Sequence, residues 1–261
     1  MKKIFTLLAL FFLLIGCSGT DNVPLQFEVA TADKTVTLAS NENAPTCNVH
    51  LEMAYATEAN GHKAEIINNS IEKRLLNLQD MPMQMAADSF AIVYVDNYQS
   101  NLQPLYLQDR GNEKKTAWYN YHYIIKTQPE NGYKGTTVYH AYLDYYEGGA
   151  HGISQHLTMN FEQSTGRQLA LADIFVPGYE SRLCQALQKA LCAYVGAANV
   201  KELKNQGYLY NLDMFPSENF VLGEEAITFI YNPYEIAPYD KGCIELTIAY
   251  SDLDDILNNF F

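Results

Sequence analysis

The chain of 261 residues carries 30 Asp and Glu against 17 Lys and Arg, a formal charge of −13 at pH 7. That acidity argues against a nucleic-acid surface, which needs basic stripes. The length can bury a real core as one large or two small domains. Five cysteines without a single CxxC pair argue against a zinc ribbon or a thioredoxin-like site.

Lys2 and Lys3 open the chain, and Ile4 to Ile15 follow as an apolar run. The run is too short to cross a bilayer as a stable helix and right for the core of a signal peptide. It ends in "LIGC", which resembles a bacterial lipoprotein box: Gly16 is the small residue at the cut and Cys17 takes the lipid, with Ile15 where Ala or Ser is usual. The reading is a signal peptide at 1–16 and a polar tether at 17–24. Loss of Lys2 and Lys3 leaves 15 basic against 30 acidic residues, a mature charge of −15. No later segment is apolar for 18 residues.

"LQFEVATADKTVTLA" (25–39) reads as a strand and hairpin. "CNVHLEMAYAT" (47–57) alternates, with Val49, Leu51 and Met53 on one side and His50 and Glu52 on the other, a strand pattern. Ala64, Ile67, Ile71, Leu75 and Leu78 then step by three or four, which predicts an amphipathic helix. A second helix follows Pro82, with Ala86, Phe90, Val93 and Asn97 along one side and Tyr94 nearby; Pro104 is expected to end it. "WYNYHYIIKT" (118–127) and "TTVYHAYLDYY" (136–146) flank a loop with Asn131-Gly132 and Gly135, a hairpin signal. "ISQHLTMNFE" (153–162) alternates cleanly. Residues 179–196 read as a helix that begins after Pro177-Gly178 and stops at Gly196. Strands at 226–231 and 243–250, joined by a Pro-rich loop, precede a short terminal helix at "SDLDD". The predicted fold class is α+β: a mostly antiparallel sheet with about three helices packed on one face, and no βαβ alternation.

Between two of these strands lies "YYEGGAHG" (145–152). Glu147 and His151 flank Gly148-Gly149, and Gly152 follows. Two readings stand. In the first, a left-handed turn or bulge needs the glycines, and the polar residues are bystanders or a binding loop. In the second, Glu147 and His151 form an acid/base or metal pair, with His140, Asp144 or His156 as further ligands. There is no HExxH, GxSxG or recognisable Cys–His context, and Ser154 and His156 share a strand face without a triad. Neither a metal nor a cofactor is expected. Of the cysteines after Cys17, Cys184 and Cys192 stand eight apart in one helix, too far to bridge; whether Cys47 and Cys243 pair is left open. Twenty tyrosines is a high count, and a ring with a polar tip suits protein interfaces and sugar stacking as well as cores.

Four phrases, "YEGGAHG", "NFEQSTGRQLALADIF", "NFVLGEEAITFIYNPYEIAPYDKG" and "IELTIAYSDLDDIL", resemble one family, domain of unknown function 3298 (DUF3298), the RsiV-like C-terminal domain. The string at 232–242 is the most specific of them. Residues 46 to about 145 are similar in length and element order to that family's usual neighbour, domain of unknown function 4163 (DUF4163), the deacetylase PdaC/SigV-like domain. The division this implies is 25–145 and 146–261. Family members known by function are an anti-sigma factor whose extracellular part binds lysozyme, and a peptidoglycan deacetylase with a separate catalytic domain. A lipoprotein signal in place of a cytoplasmic segment, and a chain ending at Phe261, lead to the expectation of the recognition module alone.

The resemblance therefore implies a non-catalytic lipoprotein, lipid-anchored in the cell envelope on a periplasmic or surface face, whose partner is a lysozyme-like wall hydrolase. The candidate contact residues are Tyr145, Tyr146, Glu147, His151, Tyr231, Tyr234, Glu235 and Tyr239, with Gly148, Gly149 and Gly152 as the turn. The alternatives are a peptidoglycan- or glycan-binding module, and a hydrolase that uses the Glu147/His151 loop.

Overall fold

In the computed structural model, which describes residues 25–41, 43–109 and 111–258, two antiparallel-rich sheets each carry their own helices. The signal segment, the tether and Cys17 lie outside the described residues. β1 (Phe27–Thr37) and β2 (Thr46–Ala56) form a hairpin in register from Phe27↔Ala56 to Thr37↔Thr46. The alternation in β2 is the one the sequence shows: Cys47, Val49, Leu51 and Met53 are buried, and His50 and Glu52 point away. α1 (His62–Leu76) and α2 (Met83–Asp109) follow, then the short α3 (Glu113–Thr116). β3 (Tyr121–Asn131), β4 (Thr136–Tyr146), β5 (Ile153–Glu162) and β6 (Gln168–Leu169) complete a six-stranded sheet in sequential order.

One pairing departs from expectation. β2 and β3 are parallel, because α1 and α2 carry the chain back across the sheet before β3 enters beside β2. A parallel neighbour requires such a crossover. The helical patterns at 64–78 and 83–109 between two strands therefore mark a βαβ connection, where the sequence suggested none.

α1 buries Ala64, Ile67, Ile71 and Leu75 of the expected stripe, while Leu78, its last expected member, follows the helix and packs half-buried on the same core. The register of α2 differs in part: Ala86 is buried and Phe90 packs on the core as expected, and Ala87, Ala91, Val95, Tyr98 and Tyr106 are buried with them, whereas Val93 is 56% exposed and Asn97 lies in solvent. The small side chains Ala87 and Ala91 let the helix settle on β1, whose inward residues Ala30 and Ala32 are also small. Pro104 does not end α2. It sits on the exposed side, where the carbonyl it deprives of a partner meets water, and buried Tyr106 holds the last turn.

The second half adds α4 (Leu171–Ile174), α5 (Glu180–Val195) and α6 (Val200–Asn205). A three-stranded sheet follows, β7 (Phe220–Leu222), β8 (Ala226–Tyr231) and β9 (Ile244–Ala249). Its core lies under α5: Leu183, Leu187 and Leu191 meet Phe220, Phe229 and Leu246. Each such side chain contributes about 1.5–3 kcal/mol of burial. The "SDLDD" segment is a single 3-10 turn, Tyr250–Asp252, with no α-helix after it among the described residues.

β7 lies against the outer face of β5. Thr158 Oγ1 donates to the Phe220 carbonyl (2.9 Å), as does Asn160 Nδ2 (2.7 Å). Where β5 lacks a strand partner, two buried amides stand in for one. Asn219 Oδ1 accepts from Thr158 N (2.7 Å) and Asn232 Oδ1 from His156 N (2.7 Å), and both Nδ2 groups donate to the His156 carbonyl. Asn232, the first residue of the family-like string, thus closes a sheet edge. The division at 145/146 falls before Tyr146, the last residue of β4, and so separates β4 from β5, with which it pairs from Thr136↔Glu162 to Tyr145↔Ile153.

Candidate functional site

The six residues between β4 and β5 fix where Glu147 and His151 go. Gly148 and Gly149 have φ of +85° and +100°, in the left-handed region that favours glycine. At Gly148 space is short as well: a Cβ would stand 3.0 Å from the Trp118 carbonyl oxygen and 3.5 Å from the Tyr121 ring. At Gly149 nothing lies within 4 Å of a Cβ, and its carbonyl accepts from Tyr146 Oη (2.8 Å). A Cβ on Gly152 would meet the Tyr145 carbonyl at 2.9 Å.

The turn sends its two polar residues apart. Glu147 Oε1 accepts from Tyr94 Oη on α2 (2.7 Å). Burial of the phenol, followed by that bond to the carboxylate, holds the Tyr94 hydroxyl well above its ordinary range, so it stays a donor. His151 goes to the second sheet. Its Nε2 is 3.1 Å from Tyr234 Oη, and its ring lies 3.9 Å from that of Tyr239 at 13°, a close stack. Tyr234 is 59% exposed, in a left-handed conformation at φ +74°. His151, Tyr234 and half-buried Tyr239 therefore form one surface aromatic cluster, assembled from two loops more than 80 residues apart.

The other candidates have different surroundings. Tyr231 is fully buried and donates to the Phe215 carbonyl (2.6 Å), so it is a core residue and not a contact residue. The alternation of β8 places it inward. Glu235 accepts from the backbone N of Asn232 (2.9 Å) and shapes the Pro/Tyr loop; burial raises its pKa. Half-buried Tyr145 stacks on Tyr123 (5.4 Å) and Tyr146 on His122 (6.3 Å).

His140, Asp144 and His156 are held by partners other than His151. Asp144 accepts from His122 Nε2 (2.7 Å) and from Ser154 Oγ (2.6 Å), so the carboxylate sits between serine and imidazole, the wrong order for a nucleophile relay. No group of three His, Cys, Asp or Glu among the described residues is placed to hold a metal ion. The four described cysteines are free; Cys47 is buried and Cys243 exposed, which answers their pairing.

Sequence reasoning missed a chain of four side chains across the two sheets. His140 Nε2 is 2.9 Å from Glu130, His140 Nδ1 is 2.9 Å from His156 Nε2, and His156 Nδ1 is 3.5 Å from Glu245 on β9. Burial, then the neighbouring His140, hold the His156 pKa below its ordinary value. The gap at Glu245 is the longest of the three. The period-two pattern put His140 and His156 on strand faces, but a cross-sheet partner in β9 has no local signal.

Residues 172–251 match the family model described as "Protein of unknown function (DUF3298)". The match begins in α4 and ends in the last 3-10 turn, so it includes the Tyr234–Tyr239 loop and leaves out the Gly-Gly turn. Among solved structures, the chain is similar to a DUF3298-family protein from Bacteroides fragilis, with 29% identity and a TM-score of 0.83 over 90% of this chain and 94% of that one. It is also similar to a DUF3298-family protein from Pseudomonas aeruginosa, with 18% identity and a TM-score of 0.64 over 91% and 96%, a likeness of fold. No curated protein matches.

Proposed function

From a DUF3298 domain at 172–251 on this two-sheet scaffold, we propose a non-catalytic recognition module of the cell envelope, attached by lipid at Cys17, whose first partner is a lysozyme-like wall hydrolase. On this reading the chain is an RsiV-like protein whose first half is a PdaC/SigV-like unit. The observation that carries it is the surface His151–Tyr234–Tyr239 cluster. Aromatic side chains on loops held by a rigid frame are what protein interfaces use as anchors, and this loop is tied by Asn232 to His156 N and by Glu235 to Asn232 N. The dispersal of Glu147 and His151 to separate partners supports recognition over the acid/base reading. The acidic mature chain and a basic hydrolase attract over a distance, which speeds encounter more than it sets specificity. No helix among the described residues is long and apolar enough to cross a membrane, in keeping with an anchor supplied by lipid.

The test is calorimetric titration of the protein with a c-type lysozyme, wild type beside Tyr234→Ala and Tyr239→Ala. The expected outcome is one-to-one binding, weakened tenfold or more by each substitution, since a central aromatic anchor is worth about 2 kcal/mol or more. Binding indifferent to both would remove the cluster as the contact.

A further inference from the structure

On the other side of the Gly-Gly turn, α2, the segment before β3 and Glu147 enclose two adjoining cavities of about 320 and 370 Å³. Each falls within the size range of small-molecule sites, about 300–1,000 Å³. They share Leu102, Tyr121 and Glu147 and so form one groove. Tyr94, Asn97 and Asn101 line one wall, at i, i+3 and i+7 of α2, the spacing of one helix face. Trp118, the only tryptophan of the chain, lines the far end at 61% exposure.

Among the described residues, the side-chain amides of Asn97 and Asn101 make no hydrogen bond within the protein. The groove thus offers aromatic rings, two unpaired amides and the Glu147 carboxylate, and its one described cation, Lys115, is paired with its second carboxylate, Asp109, at 2.8 Å. That chemistry selects among ligands. A phosphate or other anion meets Glu147 with no free cation opposite it. A lipid chain meets polar amides that it cannot satisfy. A sugar ring answers both needs, with its C–H face on an aromatic ring and its hydroxyl or acetamido groups on the amides and the carboxylate.

We propose that the groove between α2 and the Gly-Gly turn is a binding site for a neutral oligosaccharide, with Asn97, Asn101 and Glu147 as its polar contacts and Trp118 and Tyr121 as its aromatic walls. The site is separate from the His151–Tyr234–Tyr239 cluster and does not depend on it. It also explains the turn: Gly148 lets Glu147 reach the groove while the chain passes in contact with the Trp118 carbonyl.

Trp118 is a built-in reporter. Its emission is followed while the purified full chain is titrated with chitotetraose and, in parallel, with cellotetraose. The expected result is a saturable change with at least one of them. Binding of chitotetraose alone assigns the amides to acetamido groups, and binding of both assigns them to ring hydroxyls. The double substitution Asn97→Ala, Asn101→Ala is expected to raise Kd about tenfold or more; both residues are exposed, and an unchanged far-UV spectrum controls for folding. His151→Ala is expected to leave the sugar Kd unchanged, which separates this site from the protein-binding cluster. No saturable change with either sugar, or equal affinity in the double variant, would overturn the proposal.

Discussion

Gly148→Ala isolates the physical reason for the turn. The substitution has two costs. Holding an alanine at φ +85° costs about 1–2 kcal/mol against glycine. The new methyl also meets the Trp118 carbonyl oxygen at 3.0 Å, with the Tyr121 ring at 3.5 Å behind it, so the Trp118 carbonyl has to give by a few tenths of an ångström. Overpacking of that kind adds about 1–3 kcal/mol, for a total of about 2–5 kcal/mol. Gly149→Ala is the matched control, since its φ of +100° carries the first cost and the empty space around it carries no second. Urea unfolding followed by circular dichroism gives both free energies, and Trp118 emission in the native baseline reports whether its surroundings have moved. The expected order is Gly148→Ala less stable than Gly149→Ala by about 1 kcal/mol or more, with a shifted tryptophan spectrum in the first alone. Equal losses, or two losses below about 0.5 kcal/mol, would refute the claim that contact with the Trp118 segment dictates glycine here.

Glu72 is fully buried in α1; its Oε2 takes a long 3.5 Å bond from Met81 N, and Oε1 has no partner. Burial raises its pKa, so the folded state takes up the proton first and the charge destabilises above the raised value. Glu72→Gln should therefore stabilise by about 1–2 kcal/mol at pH 8. The gain should vanish as pH falls toward 4.5, the ordinary glutamate value, and urea midpoints at both ends of that window read the difference. His50 bridges Asp33 (2.7 Å) and Glu52 (2.8 Å), bonds that raise its pKa. The stability it contributes is complete below the ordinary value of 6.5 and is lost as pH rises through the raised folded one; His50→Gln should flatten that part of the pH profile. Partial enclosure of the sulfur, then Glu245 and Glu235, push the exposed Cys243 thiol up to about 11. Iodoacetamide at pH 8 should modify it roughly a hundredfold more slowly than a free peptide thiol, and buried Cys47 only after unfolding.

Local periodicity carried much of the fold. The alternation of Val49, Leu51 and Met53 and the stripe from Ala64 to Leu75 stand in the structure as the sequence shows them, and the α+β class follows from such patterns. The face of α2 was legible at Ala86 and Phe90 and harder to read beyond them, because Ala87 and Ala91 also turn inward although hydrophobicity alone ranks them below outward Val93. The extent of α2 was lost to Pro104, whose effect depends on whether its side of the helix faces water. At the site, the glycines announced a turn, but not that it divides Glu147 from His151. Those destinations are set by Tyr94, Tyr234 and Tyr239 on distant elements. Tyr231 misled because its phrase is aromatic throughout, while the parity of β8 turns it into the core. Asn97 and Asn101 carry a legible signal, two amides one turn apart, that gains meaning only once Tyr121, Glu147 and Trp118 are brought to the same groove.

The most direct test of the recognition reading is the salt dependence of lysozyme binding. The protein is titrated into a c-type lysozyme by calorimetry at low salt and again at about 0.5 M, where screening falls to a few ångströms. The expected result is one-to-one binding whose affinity falls at high salt yet persists, because stacked aromatic contacts are not screened. Binding that disappears at high salt would reduce the interaction to attraction between opposite charges, and absence of binding at both would contradict the proposed partner.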